Sequence, residues 1–484
     1  MRHVQLAIVG GGPAGLAAAA EARAKGLSVA LLDEQPAPGG QIYRQVEKVS
    51  EAAPHRAAVL GKEYLHGATL VRAFRQSGAH YFGRSLVWQI ERDVLWYLKD
   101  GEIGSLRAAR ILIATGALER PVPLPGWTLP GVMTAGAAQI LLKESGLIPG
   151  EKTVLVGHGP LLLLLAQQLL AAGGSLGAIV ETVPSTRYFR ALRHLPAAMH
   201  GGYLAKGLRM MLSLRRAGVR FYRNAEAVRI EGESAAQAVS FRVGSGTRTV
   251  PASHVFLHEG VIPNAQLPRS IGCRHRWDSE QHCFRPIADD WGNTSVQGIM
   301  VAGDGAGIGG ARAAEEAGRI AALEAARALG RLDEATRDLE ARKVRARLER
   351  QTRGRRLLEV LYAPSSALPR APDTLVCRCE EVTAGAIRAA VRIGGRGPNQ
   401  IKSYLRCGMG PCQGRMCGPT VTQVIADELH LSPQEVGYFR IRPPLKPLPL
   451  GALAADGLVR EMEGDEEGGG AIYCHWKEPA DRTT

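Results

Sequence analysis

The sequence is poor in aromatic residues, at 5%, and poor in cysteine, with 8 in 484 residues. So few cysteines exclude a disulfide-stapled scaffold. There is no stretch of 18 or more apolar residues, so no segment reads as a membrane span, and the greasiest run, 160–172, is broken by Gln167 and Gln168. No charged leader with a cleavage site precedes the first strand-like run at 4–9. No signal peptide is therefore expected, and the default compartment is the reducing cytoplasm. Acidic residues are scarce in two places. Residues 182–224 hold no Asp or Glu against nine Lys and Arg, and in 342–356 Glu349 stands alone against eight. Neither stretch carries aromatic stacking platforms, helix-turn-helix or zinc-finger spacing, so the net charge of +14 does not point to nucleic acid. The second stretch reads as a solvated helix face.

What is present is the make-up of a globular chain. It is 45% hydrophobic and 22% charged, and its length suggests about three domains. Residues 4–9 form an apolar strand, Gly10-Gly11-Gly12-Pro13-Ala14-Gly15 a turn, 16–25 an alanine-rich helix and 29–32 a second strand ending at Asp33. In Gly10-x-Gly12-x-x-Gly15 one glycine makes the tight turn, the next lets the backbone approach a pyrophosphate, and the third lets helix and strand pack closely. Asp33 is placed to accept from a ribose hydroxyl, with Glu34 beside it. Three further features favour FAD over NAD. Gly39-Gly40-Gln41 suits a backbone passing near an isoalloxazine ring. A strand at 111–113 runs into Ala114-Thr115-Gly116. Gly303-Asp304 follows another strand, where an acid can reach ribityl hydroxyls. On these residues the chain resembles the two-dinucleotide-binding-domain flavoproteins, and the resemblance implies that all three places contact FAD.

A second strand–turn–helix unit recurs at 153–181, with a strand at 154–156, Gly157-His158-Gly159 as its turn, a helix at 161–171 and Glu181 at the end of its second strand, 178–180. Its third glycine position is Leu162, which holds the helix off the strand or displaces a dinucleotide. A degenerate nucleotide-like pocket is expected, poorly suited to NAD(P)H, with His158 a turn residue and not a base. The fold class is α/β, with two Rossmann-like units and a small C-terminal domain. The expected boundaries are 1–120 with 285–330 for the FAD domain, 121–284 for the second domain, 331–373 for a charged helix and linker, 374–431 for the small module and 432–484 for an extended tail. The tail holds a proline run at 442–449, laid on a surface, and an acidic, glycine-rich loop at 461–470.

Five of the cysteines fall within 377–417. Cys377-Arg378-Cys379 and Cys412, followed by Cys417, make C-x-C…C-x4-C, a thiolate set suited to an iron–sulfur cluster or a structural zinc. The C-x-C pair is cramped for zinc, and Gly408-Met409-Gly410-Pro411 lets backbone N–H groups turn toward sulfide. Residues 376–382 (VCRCEEV) and 406–419 (RCGMGPCQGRMCGP) resemble the bacterioferritin-associated-ferredoxin-like [2Fe–2S] module. The resemblance implies Cys377, Cys379, Cys412 and Cys417 as ligands and leaves Cys407 outside the set, with an exchange of Cys407 for Cys412 open. Cys273, Cys283 and Cys474 read as idle thiols. No cysteine lies in 36–44, which argues against disulfide reduction at the flavin.

An FAD unit followed by such a module resembles the α (A) subunit of hetero-oligomeric flavin dehydrogenases of the opine oxidase, hydrogen cyanide synthase and dye-linked proline or D-hydroxyproline dehydrogenase type. Further matching stretches are 33–44, 130–139, 156–165 and 440–452. The resemblance implies amine oxidation on a D-amino-acid-oxidase-like flavoprotein β subunit. It also implies a small ferredoxin-like subunit in some assemblies, and FMN between subunits or ATP in the degenerate nucleotide site of some relatives. Electron relay through FAD and [2Fe–2S] is implied too; no Ser/His/Asp set or carboxylate pair reads as an acid–base site, so no catalytic residue is expected on this chain. The competing expectations are a stand-alone NAD(P)H-dependent ferredoxin-type reductase and a mainly structural subunit.

Overall fold

A computed structural model describes residues 2–150, 152–199, 203–364 and 371–455. Part of the expected linker, the acidic loop at 461–470 and Cys474 lie outside the described residues.

The first domain begins with β1 (Arg2–Val9), α1 (Pro13–Ala24) and β2 (Val29–Leu32). Three helices follow, α2 (Val46–Ala52), α3 (Pro54–Leu60) and α4 (Lys62–Gln76), and then β3 (His80–Phe82), β4 (Ser85–Glu91), β5 (Val94–Lys99) and β6 (Glu102–Ile113). The chain returns to this domain late, with β19 (Ile299–Val301) and α11 (Ala311–Ala328). The sheet order is β3-β2-β1-β6-β5-β4, with β19 also paired to β6. The pairs β1–β2, β1–β6, β2–β3 and β6–β19 are parallel, and β5 is antiparallel to both neighbours. Every residue of β2 is buried, as a parallel strand covered on both faces requires. The alanines of α1 let α11 approach closely, since a Cβ on Gly318 would stand 2.1 Å from the Ala14 carbonyl oxygen.

The second domain holds β8 (Val132–Thr134), α5 (Ala135–Ser145), β9 (Thr153–His158), α6 (Pro160–Ala171), β10 (Leu176–Glu181), α7 (Ser185–Leu192), α8 (Leu195–Met199), α9 (Tyr203–Arg216), β11 (Arg220–Tyr222) and β15 (His254–Glu259). Its parallel sheet runs β11-β10-β9-β15-β8. An antiparallel sheet of β12 (Glu226–Glu231), β13 (Ala238–Val243) and β14 (Gly246–Pro251) lies alongside. Leu162 is absorbed into the core between this sheet and its helices. The chain leaves the first domain through β7 (Ala117–Glu119), which pairs antiparallel with β16 (Val261–Pro263) on the way back. A short helix, α10 (Gln266–Ser270), and the hairpin β17 (His275–Asp278) and β18 (Cys283–Pro286) follow.

The charged stretch folds as α12 (Glu334–Thr352) and α13 (Arg355–Leu361). Most of its basic residues are exposed, as a solvated face implies, but Arg337 is buried and several are paired: Arg347 with Glu316 at 2.8 Å, Arg353 with Glu349 at 3.0 Å and Arg355 with Glu359 at 3.1 Å. The small module comprises β20 (Leu375–Cys377), β21 (Val382–Thr383), α14 (Ala384–Arg392), α15 (Pro398–Leu405), α16 (Gly418–Leu429) and α17 (Pro433–Val436). Its packing runs past the expected boundary at 431, because Val436, Phe439 and Ile441 are buried in it. The module is not merely tethered. Val376, Ile387, Val421 and Phe439 share one hydrophobic core with Val9, Ile111, Ile113 and Val301 of the first sheet. Each such side chain, fully buried, stabilises the assembly by about 1.5–3 kcal/mol. The proline run lies over the first domain as expected, with the Leu445 N–H donating to the Trp88 carbonyl at 3.1 Å and Lys446 paired with Glu34.

Candidate functional site

The first glycine turn joins β1 to α1. Gly10 has φ +110°, and a Cβ there would lie 2.4 Å from the Ala114 carbonyl oxygen; one on Gly15 would lie 1.9 Å from the Gly10 carbonyl oxygen. These two glycines hold strand and helix together. Gly12 is different, because a Cβ on it would meet nothing within 4 Å. It is also the N-cap of α1 and makes no side-chain cap, so the first turn offers backbone donors and the positive end of the helix dipole to the open space. Around this space the structure gathers the residues singled out from the sequence. A Cβ on Gly40 would stand 2.7 Å from the Gly12 Cα, and one on Gly303 would stand 2.7 Å from the Ala14 Cβ. Asn264 donates its N–H to the Gly116 carbonyl at 2.9 Å, and its own carbonyl accepts from the Thr115 hydroxyl at 3.4 Å. Pro13 opens α1 where no N–H donor is needed.

Asp33 accepts from the backbone N–H groups of Gly11 and, at 2.7 Å, Gln35. Burial raises its carboxyl above the usual range, and those two N–H groups oppose the rise. Asp304 uses one oxygen to accept from the N–H groups of Gly309 and Gly310, both at 2.8 Å, which fixes the loop into α11. Gln41 is held from two sides. Arg44 donates to its side chain at 2.8 Å, and Lys143 to its carbonyl at 3.2 Å. Burial lowers the Lys143 ammonium to about 7, with the Arg44 charge adding to the effect. Glycine clearances, an uncapped helix end and acids at both sides fit a dinucleotide whose pyrophosphate rests on Gly12.

The second turn is built alike and is covered. A Cβ on Gly157 would lie 1.9 Å from the His258 carbonyl oxygen. His158 is 1% exposed and stacks on Tyr362, with ring centroids 6.0 Å apart and planes at 16°. Neither of its ring nitrogens has a hydrogen-bond partner among the described residues. Burial first, then the His258, Arg187 and Arg120 charges, push it down to about 3, which fits a packed turn residue and not a base at neutral pH. Arg187 reaches the carbonyls of Ala363 and, at 2.9 Å, Pro364, which pins the chain after α13 over this turn. Glu181 accepts from the Tyr188 hydroxyl at 2.9 Å. The signal for this cover was absent from local sequence, since Tyr362 is far from His158 along the chain.

The cysteine module holds five thiols in one place. The sulfurs of Cys377, Cys407 and Cys417 lie within 4.8 Å of one another, and all three are buried. Cys379, exposed, and Cys412, half-buried, hydrogen-bond to each other beside them. The thiols of Cys407 and Cys417 hydrogen-bond to Cys377 and hold it far below the usual thiol range. The structure thus brings Cys377 and Cys417 together, sets Cys379 with Cys412, and adds Cys407 to the buried group. The glycines are what allow it. A Cβ on Gly410 would stand 2.3 Å from the Cys379 Cβ, and Gly408, at φ +85°, and Gly414, at φ +78°, lie flat on the Phe439 ring. Three clustered sulfurs with two more thiols beside them fit a sulfur-ligated metal centre. Cys273 and Cys283 are buried apart from it, and burial raises both thiols.

Residues 4–328 match the family described as pyridine nucleotide-disulphide oxidoreductase, and 371–457 match the sarcosine oxidase A3 domain. The opine oxidase A subunit of Agrobacterium tumefaciens (strain Ach5) is 45% identical over 461 residues, covering 93% of this chain and 91% of the relative. Hydrogen cyanide synthase subunit HcnB of Pseudomonas aeruginosa is 34% identical over 477 residues, covering 92% and 97%. L-proline dehydrogenase from P. horikoshii has a similar fold, with TM-score 0.67 at 19% identity over 93% of this chain and 79% of that one. The resemblance read from the motifs is borne out: the chain belongs to the pyridine nucleotide-disulphide oxidoreductase family and, within it, to the flavin-dehydrogenase family of HcnB and the opine oxidase A subunit.

Proposed function

We propose that this chain is the electron-transferring subunit of a hetero-oligomeric flavin-dependent dehydrogenase whose substrate is an amino acid, imino acid or opine. Amine oxidation takes place on a partner flavoprotein resembling D-amino-acid oxidase. In this reading residues 1–120 with 285–330 hold FAD: Gly10, Gly12, Pro13, Ala14 and Gly15 at the pyrophosphate, Asp33 and Glu34 at the ribose, and Gly40, Gln41, Ala114, Thr115, Gly116, Gly303 and Asp304 along the ribityl and ring end. Residues 121–284 are the degenerate nucleotide domain, and the cysteine module holds [2Fe–2S] on four of its five thiols, Cys377, Cys379, Cys412 and Cys417 in the reading from resemblance. When bound, FAD takes electrons in pairs and releases them singly, which a one-electron centre requires. The chain's own part is to fix both groups on one shared core and to keep water from the buried sulfurs.

The observation that carries the reading is the contrast between the two glycine turns. Gly12 faces open space, while His158 lies under Tyr362. In this reading the Tyr362 ring stacked on His158 hinders a nicotinamide coenzyme on the second turn. An interface FMN and a small ferredoxin-like subunit belong to the same proposal through the family, and the assembly is expected in the cytoplasm. Among the described residues, no helix is long and apolar enough to cross a membrane.

The test is an anaerobic titration of the purified chain with NADH and then NADPH, followed by dithionite, with flavin and cluster absorbance recorded together. The expected result is that both coenzymes leave the absorbance unchanged and dithionite bleaches it. Bleaching by either coenzyme within seconds would replace this reading with that of an NAD(P)H-dependent reductase. Iron analysis on the same sample separates an iron–sulfur centre from zinc.

A further inference from the structure

Helix α10 and the residues that lead into it touch both candidate cofactor places. Asn264, just after β16, is bonded to Thr115 and Gly116. Two residues on, the Gln266 side-chain amide donates to the Gln413 carbonyl at 3.3 Å, next to Cys412. Arg269, on the same helix, ends between two aromatic rings, 4.3 Å from the Tyr438 centroid and 4.7 Å from the Phe284 centroid. Its Nε and one terminal nitrogen are buried without a hydrogen-bond partner, and among the described residues no carboxylate pairs with it. It lines a narrow cleft together with Gln266, Arg415, Pro419 and Tyr438. Arg415 and Pro419 stand on either side of Cys417 in the chain, and the Tyr438 hydroxyl is packed on Gly418, where a Cβ would stand 2.2 Å from it.

A buried guanidinium without a carboxylate is costly. Stacking on two rings returns only about 0.5–2 kcal/mol per contact. A charge kept in such a place acts over a longer range than one in water, because the surroundings screen it weakly. Tyr438 in turn packs on Gly418, the neighbour of Cys417 in the sulfur centre. A [2Fe–2S] cluster with four thiolate ligands is negative, and one added electron makes it more so. We propose that Arg269 is the fixed counter-charge of this centre and raises its reduction potential, so that electrons leaving the flavin are drawn toward it. The inference rests on the [2Fe–2S] reading above. Burial lowers the Arg269 guanidinium to about 10, so it remains charged at neutral pH.

The test is a redox titration of the full-length holoprotein, with the cluster followed by electron paramagnetic resonance. Wild type is compared with Arg269→Met, Arg269→Gln and Arg269→Lys. The neutral variants are expected to make cluster reduction at least tenfold less favourable, a fall of 59 mV or more for a one-electron couple. Arg269→Lys is expected to keep most of the wild-type value. Met and Gln differ in size and polarity, so either one that folds with its iron content intact suffices. An unmoved midpoint in a folded neutral variant would reduce Arg269 to a packing residue and overturn the proposal, as would equal shifts in the Lys and neutral variants. No iron and no signal in wild type would sink the cluster reading itself, a failure distinguishable from the first by the iron assay.

Discussion

At the scale of single residues, the glycines of the first turn divide by what faces them. Gly15→Ala drives a Cβ into the Gly10 carbonyl, and overpacking of this kind costs about 1–3 kcal/mol. Gly12→Ala meets no protein atom, and its φ of −80° suits alanine, so the fold should hold within about 0.5 kcal/mol. The new methyl would nevertheless occupy the pyrophosphate's place. Denaturation curves and flavin content should therefore separate the pair: Gly15→Ala loses stability, whereas Gly12→Ala keeps it and loses flavin by tenfold or more. His158 gives a pH signature. Its folded value is about 3, against about 6.5 when unfolded. Below pH 6.5 the unfolded chain takes up a proton that the folded chain refuses, so stability falls from there down to about pH 3. Between pH 7 and 5 this one residue contributes about 2 kcal/mol of loss. His158→Phe keeps the stack on Tyr362 and should flatten that part of the profile; an unchanged pH slope would show that the ring titrates freely.

At the scale of elements, the cysteine module behaves as part of the first domain, because Val421, Ile387 and Phe439 share a core with β1, β6 and β19. A protease site placed between Pro364 and Ala371 should yield two pieces that leave a gel-filtration column together. Separation of the pieces would mean that the shared core contributes little. Local pattern made the two strand–turn–helix units legible, since β2 occupies the expected 29–32 and α6 begins within a residue of expectation. What local pattern did not hold was contact between distant segments. Phe439 belongs to the module although the sequence after 431 reads as tail, and Cys407 joins Cys377 only once α15 and β20 are brought together. The cover over His158 and the lone charge of Arg269 are of the same kind. They depend on Tyr362 and Tyr438 arriving from elsewhere in the chain.

At the scale of the whole molecule, the proposed function makes the described parts an electron relay with one intake closed. Tyr362 covers His158 in the second glycine turn, and Arg187 holds the carbonyls of the chain that follows Tyr362. In the proposed reading, reducing equivalents then enter from a neighbour. Mixed with amino acids, imino acids or opines, the isolated chain should stay oxidised, and it should be reduced only after the partner flavoprotein is added. Rapid reduction of the chain alone by any of these compounds would place substrate chemistry here. The net charge of +14 gives such a partner, if acidic, a faster approach at low salt. The burial of Cys377, Cys407 and Cys417 also reaches back to biosynthesis. On the [2Fe–2S] reading, two of the four ligands, Cys377 and Cys417, sit beneath a fold made by late segments of the chain, so iron has to arrive while that end is still open. Maturation becomes an ordered event with a deadline. Chains completed in an iron-starved cell would close over empty thiols, and later iron would rescue them only through local unfolding of the module.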